Sequence, residues 1–370
     1  MPEPKPTIAV LFNHVGEDEY EKLRNVDPAT LTFEPEYELN VATVIEEYKD
    51  IAKALRREGY RVRMVNVQES IDKLERVFRR NPPDVIFNLI EHFHDEPHFE
   101  ADVAALLELH RIPYTGAPPF ALSLCQRKGL TKQILLANGV PTPRFRSLMS
   151  PKIPARHGLH YPLIVKPARE DASSGVEKAS VVYDYAQLKA RLEFMFTEFE
   201  PPVLVEEFIE GRELHVSVLG NEPPDVLPII EFDFSNLPAD HPNIISYDAK
   251  WNPLDEAFHR VHSICPADLS RRVVKKVRDI ALRAYLVTGC RDYARLDFRL
   301  APPSNVYVLE VNPNPDLTEG VSFMESAEAA GLSFDETLRM IVEFARERTP
   351  PPLVVPAPPP EVPNPMPVVE

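Results

Sequence analysis

The sequence predicts an α/β protein that becomes α+β in its C-terminal half: an N-terminal open parallel α/β domain, then two smaller α+β units. Three observations carry this. The first 120 residues alternate short apolar runs with amphipathic stretches, which implies parallel strands joined by helical crossovers. Beyond residue 160 the apolar runs come in pairs around polar loops, as antiparallel hairpins do. No window of the 370 residues approaches the ~18 to 20 uninterrupted apolar positions of a membrane span.

Taken in order, Ile8 to Phe12 reads as a buried strand, followed by an acidic, polar insertion. "VATVIEEYKDIAKALRREGY" repeats its apolar residues at helical spacing and stops at Gly59. "RVRMVNV", "SIDKLERVFRRN" and "PDVIFNLI" give strand, helix and strand, and "ADVAALLELH" a further helix, with a boundary near residue 120. "ALSLCQRKGLTKQILLANGV" reads as one helix closed by Gly139, and "YPLIVKPAREDASSGVEKASVVYD" as a hairpin. Asp184 is a suitable N-cap for a helix with Leu188, Leu192, Met195 and Phe199 on one stripe. Strands follow over 202–209, 213–219 and 225–234, then a long loop, a helix "DLSRRVVKKVRDIALRAYLV" stopped by Gly289, a hairpin, and one last helix ending near Arg348. The expected units are 1–120, 121–200 and 201–349. Residues 350–370 hold ten of the forty prolines and read as a disordered or polyproline-like tail.

Bulk composition excludes some functions. A formal charge of −16 opposes generic nucleic-acid binding, which needs clustered Lys and Arg. Three scattered cysteines suit reduced, buried thiols, and the N-terminus lacks the pattern of a secretory signal, so a cytoplasmic location without membrane contact is the expectation.

The chemistry concentrates in "YARLDFRL" (293–300) and "VYVLEVN" (306–312). With Ala301 pairing Val306 across the loop, Asp297 faces Glu310 and Arg295 faces Asn312. Strand alternation puts all four on one face and Leu296, Phe298, Leu300, Tyr307, Leu309 and Val311 on the other. Opposed carboxylates repel unless a cation lies between them. Asp297, Glu310 and the Asn312 amide oxygen make an oxygen-only set of the kind Mg²⁺ takes, while a solvated face with surface ion pairs is the bland alternative. Lys166 ends the run "PLIVKP" before "AREDASSG", a loop whose backbone N–H groups, those of Ser173 and Ser174 among them, can cap a phosphate. Neither G-x-x-x-x-G-K-[ST] nor a convincing G-x-G-x-x-G occurs. "VLVEEFIEGRELHVSV" places Glu206 and Glu207 at a strand end and Glu213 across a glycine turn, suited to accept from adenine and ribose.

Together "RKGLTK", "IVKPAREDASSG", "VEEFIEGRE", "YDAK", "ARLDF" and "LEVNPNP" resemble, in order and approximate spacing, the ATP-grasp superfamily and within it the D-alanine:D-alanine ligases. The resemblance runs from about residue 8 to 345. It implies a two-part ATP-grasp fold after the N-terminal domain, and a ligase that forms an amide through an acyl phosphate, releasing ADP and phosphate. It implies roles too. Lys128 and Lys166 would hold ATP phosphates, Glu206 accept from the adenine amine, Glu207, Phe208 and Ile209 line the base, and Glu213 bind ribose. Lys250 would lie near the γ-phosphate and Arg295 stabilise the tetrahedral intermediate. Asp297, Glu310 and Asn312 would ligate two Mg²⁺ ions, with Mn²⁺ as the alternative metal, and His94 would flank the donor substrate. A homodimer is implied as well.

The substrate side departs from the family. Its glycine-rich donor loop is here "EHFHDEPHFEAD", and the chain has 12 glycines where ordinary usage gives about 26. Ala172 replaces a serine, and Asp316 and Val321 replace a glycine and an acceptor-binding serine, with Ser322 adjacent. Two other readings therefore stand beside a D-alanine ligase: a ligase joining another amino acid or small carboxylate to an amine, and a non-catalytic nucleotide-binding relative. His92, His94 and His98, among Glu91, Asp95, Glu96 and Glu100, form either a transition-metal site or a polar loop.

Overall fold

The computed structural model describes residues 5–16, 19–24, 26–37, 39, 41–170, 173–238 and 241–348. The proline-rich tail and Ala172 lie outside the described residues. Strands β1 (Thr7–Phe12), β2 (Arg61–Asn66) and β3 (Val85–Asn88) form a parallel sheet in the order β2-β1-β3, the open α/β unit expected. Both faces of β1 are core: Ile8 and Val10 join one apolar cluster, Ala9 and Leu11 another. The first cluster is completed by the helix Val44–Arg57 and by Leu338, Ile341 and Val342 of the helix Phe334–Glu347. That last helix, expected in the third unit, thus covers the N-terminal sheet, because a doubly buried parallel sheet needs apolar cover on both sides. Val44–Arg57 opens with a capping box between Thr43 and Glu46 and carries Arg56 and Arg57 in its last turn, matching the helix dipole.

Strands β4 (Phe145–Leu148), β5 (Leu163–Pro167), β6 (Val181–Val182) and β7 (Val203–Glu207) form an antiparallel sheet in the order β4-β7-β5-β6. The hairpin of β5 and β6 is as expected. β7, expected to open the third unit, instead lies in the middle of this sheet, bonded to β4 and β5. The helix Tyr185–Glu198 is capped by Asp184 and buries Leu188, Leu192 and Met195 against it.

Strands β8 (Arg212–Leu219), β9 (Asp225–Val226), β10 (Ile230–Asp233), β11 (His262–Ile264), β12 (Tyr293–Ala301) and β13 (Asn305–Asn312) make the largest sheet, ordered β11-β10-β8-β12-β13, with β9 on β8. The helix Arg271–Thr288 covers it, capped by Ser270 and ended by Gly289 at φ 75°.

Three further differences matter. The helix expected over 121–140 is two, Pro119–Cys125 and Lys128–Ala137. The break at Arg127 lets the Lys128 N–H bond to Ala168 O at 3.2 Å, which ties the second helix to the end of β5. The loop after β10 contains the helices Tyr247–Trp251 and Glu256–Arg260, against which the early insertion packs: Tyr20 Oη donates to Trp251 O and the Tyr37 N–H to His259 Nδ1, each at 3.1 Å. The last hairpin turns one residue tighter than expected, Ala301 pairing Asn305, and a bulge between Asp297 and Phe298 restores the register at the site. Beyond the bulge Val306 and Val308 therefore enter the core, where Tyr307 and Leu309 were expected.

Candidate active site

The β12–β13 pairing sets Asp297 directly opposite Glu310 and Arg295 opposite Asn312. All four share a face, and the helix Lys128–Ala137 reaches it through Lys128. The Arg295 guanidinium grips Asp297 in a fork, Nε to Oδ1 at 2.8 Å and Nη2 to Oδ2 at 3.1 Å. Asn312 Nδ2 donates to Asp297 Oδ2 at 3.1 Å, which leaves its amide oxygen unencumbered by that bond. Lys128 Nζ stands 3.3 Å from Glu310 Oε2. Burial opposes charge on both acids, yet Arg295 holds Asp297, and Lys128 holds Glu310, below the usual carboxylate range.

Lys166 reaches Glu206 across the β5–β7 pair, Nζ to Oε1 at 2.7 Å, and Lys132 reaches the other oxygen at 2.7 Å. The Glu206 side chain, expected to meet adenine, is therefore clamped between two ammonium groups. Glu207 turns away to His160 Nδ1 at 2.8 Å, and the Phe208 N–H bonds to Pro162 O at 2.9 Å. Ile209 follows before the turn at Gly211, where φ is +149° and an added Cβ would meet Leu300 O at 2.3 Å. Glu213 is buried against Arg299, Oε2 to Nη2 at 2.7 Å, and burial raises its carboxyl despite that cation. Arg299 is further fixed by Gly211 O and Asn243 O and lies over the rings of Phe208 and Phe234.

The loop after β5 closes toward Lys250. Ser173, at φ 63°, donates from Oγ to Ile245 O at 3.1 Å, Ser174 follows half-buried, and the Tyr247 N–H bonds to Val176 O at 2.9 Å. Lys250 lies on the helix Tyr247–Trp251, its Nζ 4.7 Å above the Trp251 ring. Burial, then the neighbouring Arg295, pulls its ammonium down, while Asp297, Asp316 and Glu310 offset this.

His94 is not part of this assembly. It stands at φ 54°, largely exposed, with Nδ1 3.4 Å from Glu69 Oε2 and its ring against Phe93. His98 pairs with Glu96. Among the described residues no group of three or more His, Cys, Asp and Glu is arranged to hold a metal ion.

Sequence reasoning missed Lys132, His215 and Arg299. Lys132 lies one helical turn after Lys128, and Arg299 two residues after Asp297 on the same strand, so spacing alone could have marked them. His215 comes to Asp297 only through the β8–β12 pairing, with Nε2 3.5 Å from Oδ1. Its Nδ1 lies 3.0 Å from Ser322 Oγ. No local signal announces that contact.

The arrangement sets the Lys128 ammonium beside an opposed acid pair, with the Lys166–Glu206 ion pair at the end of β7 and the buried Glu213 nearby. The comparisons concern the family and the fold. The family model described as D-ala D-ala ligase C-terminus matches residues 134–343. The D-alanine–D-alanine ligase of Desulforudis audaxviator (strain MP104C) is 33% identical over 80% of this chain and 92% of its own length. The uncharacterized protein y4sG of Sinorhizobium fredii (strain NBRC 101917 / NGR234) is 34% identical over 72% of this chain and 78% of its own. The fold matches that of the Bacillus anthracis D-alanine–D-alanine ligase complexed with ATP, at a TM-score of 0.69 and 23% identity, covering 93% of this chain and 98% of that one. On these grounds the chain belongs to the D-alanine–D-alanine ligase family of ATP-grasp enzymes, which form carbon–nitrogen bonds.

Proposed function

We propose that this enzyme joins two D-alanine molecules: ATP and two D-alanine give D-alanyl-D-alanine, ADP and phosphate. The observation that carries the reading is the opposition of Asp297 and Glu310 inside an arc of Lys128, Lys166, Lys250 and Arg295. Like charges face to face are stable only when cations bridge them, and this arc matches the triphosphate end of a nucleotide.

The donor oxygen set fits Mg²⁺. Asp297, Glu310 and the Asn312 amide would hold two ions, which when bound supply charge neutralisation on the phosphates. The chain's own residues do the rest. Lys128 and Lys166 hold the phosphates, and Lys250 neutralises the oxygens of the γ-phosphoryl group. A donor carboxylate oxygen attacks phosphorus, the bond to the ADP oxygen breaks, and an acyl phosphate results. Arg295 receives the oxyanion formed when the acceptor amine adds to the carbonyl carbon. The carbon–oxygen bond to phosphate then breaks and the amine loses its proton. Positioning and charge supply the acceleration, as in phosphoryl transfer generally. Glu213 takes the ribose hydroxyls, and the strand end Glu207, Phe208 and Ile209 flanks the base.

The test is phosphate release from ATP and Mg²⁺ across a panel of D- and L-amino acids and amines, with products weighed by mass spectrometry. Release that requires D-alanine and yields the dipeptide supports the assignment. Release with a basic amine in place of the second amino acid would reassign the acceptor, as Asp316 in the field of Arg295 and Lys250 would explain. No ATP binding by calorimetry would overturn the assignment.

A further inference from the structure

We infer that Lys132 is a positioning residue for ATP: it neutralises Glu206 and so leaves the charge of Lys166 available to a phosphate. The inference rests on the reading of Lys166 as a phosphate lysine. Lys132 is 1% exposed, so no phosphate reaches it without rebuilding the core. Its ammonium has two partners, the Thr142 Oγ1 at 2.8 Å and Glu206 Oε2 at 2.7 Å. Glu206, equally buried, gives its other oxygen to Lys166, which keeps a 9% opening at the end of β5.

Lys166 paired with Glu206 alone would be a neutral pair, and a neutral pair attracts a triphosphate weakly. With Lys132 the triad carries net charge +1, and Lys166 is its only member open to a ligand. The helix Lys128–Ala137 enforces the arrangement, because residues four apart share a face: Lys128 goes to Glu310 and Lys132 to Glu206. Break the triad at Lys132 and Glu206 turns its whole charge on Lys166. A scaffold role for Lys132 would instead loosen both halves of the nucleotide site together.

Binding of inorganic tripolyphosphate and of adenosine, each measured separately by calorimetry on the full chain, distinguishes the two. Lys132→Met is expected to weaken tripolyphosphate about tenfold or more, the scale of truncating one partner of a buried charged pair, and to leave adenosine unchanged. Lys132→Arg retains tripolyphosphate binding. The double variant Lys132→Met/Glu206→Gln, which frees Lys166 again, recovers it to within about threefold of the parent, the coupling expected of groups in one network. If Lys132→Met does not fold, Glu206→Gln alone decides: it binds tripolyphosphate as well as the parent or better. Equal loss of both ligands in Lys132→Met, a double variant no better than the single, or weaker tripolyphosphate binding in Glu206→Gln would each overturn the inference. A parent protein that binds neither ATP nor tripolyphosphate would overturn the reading beneath it.

Discussion

Lys128 and Lys132 stand one helical turn apart, yet their ammonium groups end on different acids, Glu310 of β13 and Glu206 of β7. One short helix thereby joins the acid pair of the large sheet to the lysine–glutamate pair of the smaller one. The break at Arg127 makes this possible, since a continuous helix from residue 119 would hold Lys128 away from Ala168.

Glu310→Gln removes one of two opposed carboxylates without emptying the core. Turnover should fall by orders of magnitude, because charge neutralisation at the phosphates depends on the pair. The thermal transition of the metal-free protein should fall at neutral pH, since the cations around Glu310, Lys128 first, outweigh the repulsion from Asp297 and hold its carboxyl below the ordinary range. Steady-state assays and calorimetry on the same sample check both, and a near-normal rate would remove the metal assignment.

Arg299 is buried and pairs with Glu213 at 2.7 Å. Arg299→Met strands that carboxylate, which should cost about 3 to 5 kcal/mol of stability. With Glu213 as the proposed ribose ligand, it should also raise the KM for ATP more than it lowers kcat. Urea titration and a KM-against-kcat comparison measure the two effects.

Gly211→Ala tests the turn between β7 and β8. At φ +149° and with Leu300 O 2.3 Å from the new Cβ, the β8 end must shift. A loss of about 2 to 4 kcal/mol is expected, the range for strain at a special backbone position. A fully stable variant would mean the turn is not where the structure has it.

Stability should fall on the acid side in two stages. Burial, then Arg295 and Lys250, keeps His215 neutral with its pKa well depressed, so the unfolded chain takes up a proton that the folded one refuses. That contribution is full above about pH 6.5, the ordinary histidine value, and declines below it. Glu206, Asp297 and Glu310 are also depressed, each by its cations overcoming burial. Their contribution is full above the ordinary carboxylate range of about 4 to 4.5 and is lost as pH falls through their lower folded values. Denaturation followed from pH 8 to pH 3 in chelator should show both limbs, and His215→Gln should flatten the upper one alone.

How much of this was legible in the sequence follows from the range of each interaction. The face carrying Arg295, Asp297, Glu310 and Asn312 is set by alternation along two strands joined by a short loop, and period-2 logic found it. The same logic misassigned Tyr307 and Leu309, because a bulge shifts register by one residue and no composition signal marked it. Lys166 and Glu206 were found as separate features; that they meet follows from β7 inserting between β4 and β5, a long-range pairing. The last helix reads as amphipathic, but nothing in its residues says that its apolar face belongs to the sheet at the other end of the chain. His94 was placed by family order alone; in the structure its ring nitrogen lies 3.4 Å from Glu69, a contact that no spacing in the sequence marks.

Activation of a carboxylate by transfer of the γ-phosphoryl group is the step on which the proposed reaction depends. The most direct measurement uses D-alanine labelled with ¹⁸O in both carboxylate oxygens, turned over with ATP, Mg²⁺ and the full chain, with phosphate and nucleotide read by mass spectrometry. The attacking oxygen leaves with the phosphate, so one ¹⁸O per phosphate released is expected, with unlabelled ADP. Unlabelled phosphate, or label recovered in AMP, would contradict it.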